Sequence, residues 1–137
     1  MTAAQPQAGG VALVIVSHSE QLAAGVVELA SQMAKDVILR AAGGTDDGRI
    51  GTSFDKVNDA VSALRADGYD VAILTDLGSA NMTVESVLDF LDDEEETHVR
   101  LIDGPLVEGA VAAAVTAQVG GDLEAVAAAG RARELFT

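Results

Sequence analysis

The run Val11–Val16, followed at once by Ser17, His18, Ser19 and Glu20, constrains the fold more than any other stretch. Six consecutive apolar residues, mostly β-branched, predict a strand covered on both faces. A helical pattern begins directly afterwards, with Leu22, Val26, Leu29 and Met33 at spacings of three and four, over about Glu20–Ala34. Ser19 is a plausible cap for that helix. His18 is thereby set at the carboxyl end of a first strand, just ahead of a helix amino terminus. Ligands bind at that position in open α/β sheets, and free helix N–H groups there can receive an anion.

The same alternation continues along the chain. Val37–Ala41 predicts a second strand and Gly43–Thr52 a long turn-rich loop. Thr52 or Ser53 could cap a second helix whose inner face uses Phe54, Val57, Val61 and Leu64, and Gly68 stops it. Val71–Leu74 reads as a third strand, Thr75–Asn81 as a loop, and about Met82–Leu91 as a helix. The acidic run Asp92–Glu96 is expected to be a solvated surface, not a metal cluster. Val99–Ile102 is a fourth strand, with helix from about Leu106 to Val119. Gly120 and Gly121 break it, and Asp122 can cap a last helix reaching about Leu135. The prediction is an α/β fold: one domain over residues 11–137, a mainly parallel sheet of about four strands, and helices on both faces. Residues 1–10 read as a disordered lead-in.

Composition narrows the function. Net charge is -14 with a pI near 4.1, which argues against nucleic acid or anionic membrane as a partner. A basic protein partner is compatible with that charge. There is no cysteine, so disulfides and thiolate metal sites are excluded. A reducing, cytoplasmic setting fits. No metal site is expected.

Parallel strands gather their carboxyl-end loops at one edge. His18, Gly43–Thr52, Asp76–Ser79 and Gly104–Pro105 should therefore meet there. A neutral imidazole nitrogen is a nucleophile near pH 7. If Asp76 takes a hydrogen bond from one ring nitrogen, the tautomer is fixed and the other nitrogen is left to attack. Gly78 and Ser79, at a helix start, can supply backbone N–H groups and a hydroxyl to phosphoryl oxygens, and Thr52 and Ser17 could add others. Other polar residues have plainer readings. His98 is taken as a surface residue, Asp46 and Asp47 as turn formers, and Glu108 as an acid favoured at a helix start. Thr52 is equally a cap or a site donor. Arg49 could touch phosphate, but a solvated arginine is the default.

Four segments also carry a resemblance: IVSHSEQLAAGVVELASQMA, DDGRIGTS, ILTDLGSANMTVESVLDFL and VRLIDGPLVEGAVAAAV, in that order. Together they resemble the DhaM family, the phosphoryl-carrier subunits of phosphotransferase-dependent dihydroxyacetone kinases, in their mannose-type IIA domain. The resemblance implies that His18 is phosphorylated by the phosphocarrier protein HPr and that Asp76 is its paired aspartate. The group would pass to ADP, with Mg, held on the nucleotide-binding subunit DhaL, for dihydroxyacetone bound on DhaK. It implies no cofactor bound by this chain and a homodimer. HPr and enzyme I would be separate proteins. Phosphorylation is expected on Nε2, with Nδ1 bonded to Asp76. Two alternatives stand beside this reading: a IIA component of a mannose-type sugar transporter, and a non-catalytic anion- or nucleotide-binding module. The absence of a GxGxxG fingerprint after the first strand and of a P-loop counts against the last.

Overall fold

The computed structural model describes residues 10–132. Strands β1 (Val11–Ser17), β2 (Leu39–Gly43), β3 (Asp70–Thr75) and β4 (Val99–Leu101) form one sheet in the order β2-β1-β3-β4. All three pairings are parallel. The helices are α1 (Glu20–Met33), α2 (Phe54–Ala66), α3 (Gly78–Asp89), the short α4 (Asp93–Glu96), α5 (Leu106–Gln118) and α6 (Leu123–Gly130).

Alternate residues of β1 feed two cores. Val11, Leu13 and Ile15 pack with α1, α5 and α6, and Ala12, Val14 and Val16 pack with α2 and α3. A strand buried on both faces needs apolar residues at every position, which is what VALVIV supplies. The chain leaves β1 for the outer strand β2 by way of α1, then crosses back to β3 by way of α2 on the other face. The carboxyl ends of β1 and β3 therefore flank a point where strand order reverses, the usual place for a ligand crevice in such sheets. Register completes the geometry. Val16 is paired with Thr75, so the next residues, Ser17 and Asp76, emerge side by side.

Several boundaries differ from the sequence reading. The second strand begins at Leu39, not Val37, and runs through Gly43, which the sequence had marked as loop. A Cβ on Gly43 would lie 2.6 Å from the Ser19 carbonyl oxygen and 2.8 Å from the Ala23 Cβ. Glycine is here a close-approach residue that lets β2 pass under the first turn of α1. The inner face of α1 is Ala23, Val26 and Ala30, while Leu22, Leu29 and Met33 are exposed. Small side chains bring that helix down onto the sheet, and the larger ones are turned outward. The acidic run is a short helix capped by Asp92. Helix α3 starts four residues earlier than Met82. Helix α6 ends at Gly130. The expected stretch from residue 133 to Leu135, like the expected lead-in over residues 1–9, lies outside the described residues.

Capping follows the sequence closely. Ser19 accepts from the Leu22 N–H at 3.1 Å, Ser53 from Lys56 at 3.1 Å and Asp122 from Ala125 at 2.9 Å. Each satisfies a helix donor that would otherwise have no partner. No described helix is long and apolar enough to cross a membrane.

Candidate phosphoryl-acceptor site

At the carboxyl edge of the sheet, the residue after β1 meets the residue after β3. His18 Nδ1 lies 2.9 Å from Asp76 Oδ1. The other carboxylate oxygen, Oδ2, accepts from the His18 backbone N–H and from the Ser17 hydroxyl, both at 2.9 Å. Leu77 N–H donates to Oδ1 at 2.8 Å. Partial burial pushes the Asp76 carboxyl up, but these four hydrogen bonds outweigh it and hold the group below the ordinary carboxylate range. Asp76 is thus an ionised, acceptor-only partner, and Nδ1 must carry the proton it accepts.

The other ring nitrogen then holds the free lone pair. His18 Nε2 lies 2.5 Å from Ser79 Oγ, whose hydroxyl donates to it. The side chains of His18 and Asp76 are 18% and 13% exposed, so the pair is sheltered while Nε2 faces the edge. Ser79 is the second residue of α3. The cap position of that helix, Leu77, offers no side-chain bond, unlike Ser19, Ser53 and Asp122 on α1, α2 and α6. The first-turn N–H groups of Gly78 and Ser79 are therefore available to an anion on Nε2.

The other sequence candidates divide. Ser17 is fully buried. Its hydroxyl donates to Asp76 and accepts the Ser19 N–H at 3.0 Å, so it is committed to holding the carboxylate. Thr52 pairs with Thr83 Oγ1 at 2.6 Å, bridging the β2–α2 loop to α3. The same loop is tied to the histidine by the Gly51 N–H on the His18 carbonyl at 2.9 Å. Arg49 is 80% exposed and paired with Asp47 at 2.7 Å. Asp46 accepts from Ser53. His98 lies at the surface, with its side chain 39% exposed, and its Nδ1 is 2.8 Å from Asp70 Oδ1. Thr83 escaped the sequence reading, because Ser79 was read as loop and only the earlier start of α3 sets Thr83 one turn beyond it. Among the described residues, no group of three or more His, Cys, Asp or Glu side chains is placed to hold a metal ion.

Comparison with known proteins identifies the family. Residues 12–127 match the family model of the phosphotransferase system fructose IIA component, EIIA-man. A Listeria innocua protein named as the phosphoryl donor subunit DhaM of a PEP-dependent dihydroxyacetone kinase is 43% identical, over 85% of this chain and 89% of its own length. A Lactococcus lactis DhaM is 39% identical, over 83% of this chain and 88% of that one. The Escherichia coli DhaM is 43% identical over 83% of this chain, but the match spans only 25% of that longer protein. The crystal structure of EF1359, a protein of unknown function, superposes with a TM-score of 0.82 at 34% identity, over 90% of this chain and 94% of the other. The chain belongs to the mannose-type IIA family of the phosphotransferase system and, within it, to the DhaM group of phosphoryl donor subunits of dihydroxyacetone kinase.

Proposed function

We propose that this chain is a cytoplasmic, homodimeric phosphohistidine carrier. His18 takes a phosphoryl group from phospho-HPr and passes it to ADP held with magnesium on DhaL, and the ATP formed there serves dihydroxyacetone on DhaK. The single observation that carries the reading is the placement of the His18 ring, with Nδ1 2.9 Å from Asp76 Oδ1 and Nε2 2.5 Å from Ser79 Oγ.

The chemistry follows from that arrangement. The Nε2 lone pair attacks phosphorus as the donor's P–N bond breaks in line, and a new P–Nε2 bond forms. Positive charge developing on the ring is balanced by the Asp76 carboxylate. For the attack to occur, the Ser79 hydroxyl leaves Nε2 and turns to a phosphoryl oxygen. The free N–H groups of α3 take the others, so negative charge meets preorganised donors. Return of the phosphoryl group to an acceptor runs the same steps backwards. The chain binds no cofactor of its own in this scheme.

The test is the intact mass of the protein after incubation with phosphoenolpyruvate, enzyme I and HPr. One acid-labile phosphoryl addition, lost in His18→Ala, is the expected result. A phosphoryl addition that survives in His18→Ala overturns the assignment. The family model's description as a fructose IIA component favours a second reading, in which the acceptor is a IIB transporter protein. Transfer from the phosphoprotein to DhaL-bound ADP, but not to a IIB protein, decides for the kinase.

A further inference from the structure

The amino end of α3 has no capping side chain, so other bonds fix where Ser79 stands. The Thr75 hydroxyl donates to Asn81 Oδ1, which ties α3 to the end of β3, the strand that leads into Asp76. Thr83 Oγ1 meets Thr52 Oγ1 at 2.6 Å, which ties α3 to the β2–α2 loop. Among the described residues this is the only hydrogen bond from that loop to α3. The loop in turn holds the strand end that bears the histidine. Its Gly51 N–H donates to the His18 carbonyl at 2.9 Å, and its Gly44 N–H donates to the Ser17 carbonyl at 3.1 Å. A closed circuit results. It runs from the His18 carbonyl to Gly51, along the chain to Thr52, across to Thr83, back one turn to Ser79, and from Ser79 Oγ to His18 Nε2 at 2.5 Å. The Thr83 hydroxyl also lies 3.5 Å from the Ser79 carbonyl. That is long for a hydrogen bond, so Thr52 is the partner that fixes it.

We infer that Thr83 is a positioning residue for phosphoryl transfer at His18, and that Thr52 acts through it instead of touching the phosphoryl group. The inference rests on the carrier reading above. Attack by Nε2 needs the Ser79 hydroxyl to leave the ring and the N–H groups of α3 to stand at the phosphoryl oxygens. Their distance from Nε2 is set on one side by what holds the His18 backbone and on the other by what holds α3. The Thr52–Thr83 bond joins those two supports. Without it the loop is free to drift. Gly44, Gly48 and Gly51 all have positive φ, and glycine has the most conformational freedom to regain. A misplacement of about 1 Å can slow such a reaction by about a hundredfold. The fold does not hang on this bond, because Phe54 of α2 and Phe90 at the end of α3 still meet edge to face, with 5.4 Å between ring centres.

The experiment measures phosphorylation of the full chain against phospho-HPr concentration, which separates kcat from KM. Thr83→Val keeps the shape of the side chain and removes the hydroxyl. It should lower kcat about tenfold and leave KM within about twofold. Thr83→Ser, which restores the hydroxyl, should return kcat to within about twofold of the unaltered protein. Thr52→Val should lose as much as Thr83→Val, and the double variant no more than either, because both remove the same bond. Nitrogen-15 NMR of the unphosphorylated His18 ring adds a reading that needs no donor. The Nε2 resonance should move in Thr83→Val, as the bond from Ser79 loosens, and stay in place in Thr83→Ser. An unchanged kcat in Thr83→Val overturns the positioning role, and so does an unmoved Nε2 resonance. A loss confined to KM, or an equal loss in Thr83→Ser, overturns it too. Losses that multiply in the double variant overturn the part assigned to Thr52, whose hydroxyl would then act on the phosphoryl group directly. If the unaltered protein takes no phosphoryl from phospho-HPr, the carrier reading fails, and the Nε2 resonance still decides whether Thr83 places Ser79.

Discussion

The protein contains two histidine–aspartate pairs at opposite ends of its sheet. At the carboxyl edge His18 Nδ1 meets Asp76 at 2.9 Å, and at the amino edge His98 Nδ1 meets Asp70 at 2.8 Å. As pairs they are nearly the same object, but their surroundings differ. Around Asp76 all the donors converge on the carboxylate, and the far nitrogen of the ring is met by a serine hydroxyl at an uncapped helix start. Asp70 belongs to an ion network. Arg65 lies 3.9 Å from it and grips Glu95 through two nitrogens at 2.8 and 3.1 Å, and its third bond, at 2.8 Å, goes to the Tyr69 carbonyl. That guanidinium holds the Glu95 carboxyl below its usual range. One arrangement leaves a lone pair next to anion donors. The other ties the end of α2, the start of β3 and α4 together. A His–Asp pair is therefore a site only when the nitrogen away from the aspartate has somewhere to send its electrons.

The sharpest way to break this comparison is to make the same substitution in both pairs. Asp76→Asn replaces an acceptor with an amide that can donate to Nδ1, which favours the wrong tautomer and places the proton on Nε2. Phosphorylation of His18 by phospho-HPr should fall by about 10²–10⁴-fold, the range seen when such orienting carboxylates are lost. Asp70→Asn should leave that rate within twofold. Single-turnover labelling of both variants checks this. Equal losses would show that the amino-edge pair also serves transfer.

How much of this was legible in the sequence depends on the range of the interaction. Strand β1 announced itself, because a doubly covered strand must be apolar at every position. The His18–Asp76 encounter followed from topology, since parallel strands gather their carboxyl ends. Ser19, Ser53 and Asp122 were readable as caps because the cap bond spans three residues. The spacing of Leu22, Val26, Leu29 and Met33 announced helix α1 but not its inner face, because packing close to a sheet selects small residues such as Ala23 and Ala30 beside Val26. Gly43 read as punctuation because nothing local says that Ser19 and Ala23 press on it. The His98–Asp70 contact spans 28 residues and carries no periodicity, so the sequence placed His98 at the surface without showing its partner. Ser17 was grouped with the phosphoryl donors on the strength of its position. Only its burial and its bond to Asp76 show where the hydroxyl points.

The second contrast concerns stability. Arg65→Leu should destabilise the protein by about 1–2 kcal/mol, chiefly through the lost charged bond to the Tyr69 carbonyl, because the more exposed ion-pair contacts add little. Thermal unfolding should show a drop in Tm of a few degrees. Transfer measured well below the melting transition should be unaffected. A transfer defect at that temperature would mean that the amino-edge network is coupled to the site across the sheet, and the division of labour between the two edges would be lost.

The smallest effect refines the account of Asp76 itself. Its carboxyl is depressed in the folded state because several donors converge on it, and Ser17 supplies one of them. A depressed folded pKa stabilises the fold at pH values above the ordinary carboxylate range, near 4. That contribution is lost as pH falls through the folded value. Ser17→Ala removes one donor while burial continues to push the other way. The Asp76 midpoint should therefore move upward, toward the ordinary value. The acid-side loss of stability should in turn begin at higher pH than in the unaltered protein. A carbon-detected NMR titration of the Asp76 carboxyl reads the midpoint directly, and Tm measured across the acid range reads its consequence. If the midpoint does not move, the three remaining donors suffice to set the carboxylate, and the place of Ser17 is to satisfy the Ser19 N–H at the mouth of α1. In that case the orientation of His18 rests on β3 and its loop alone.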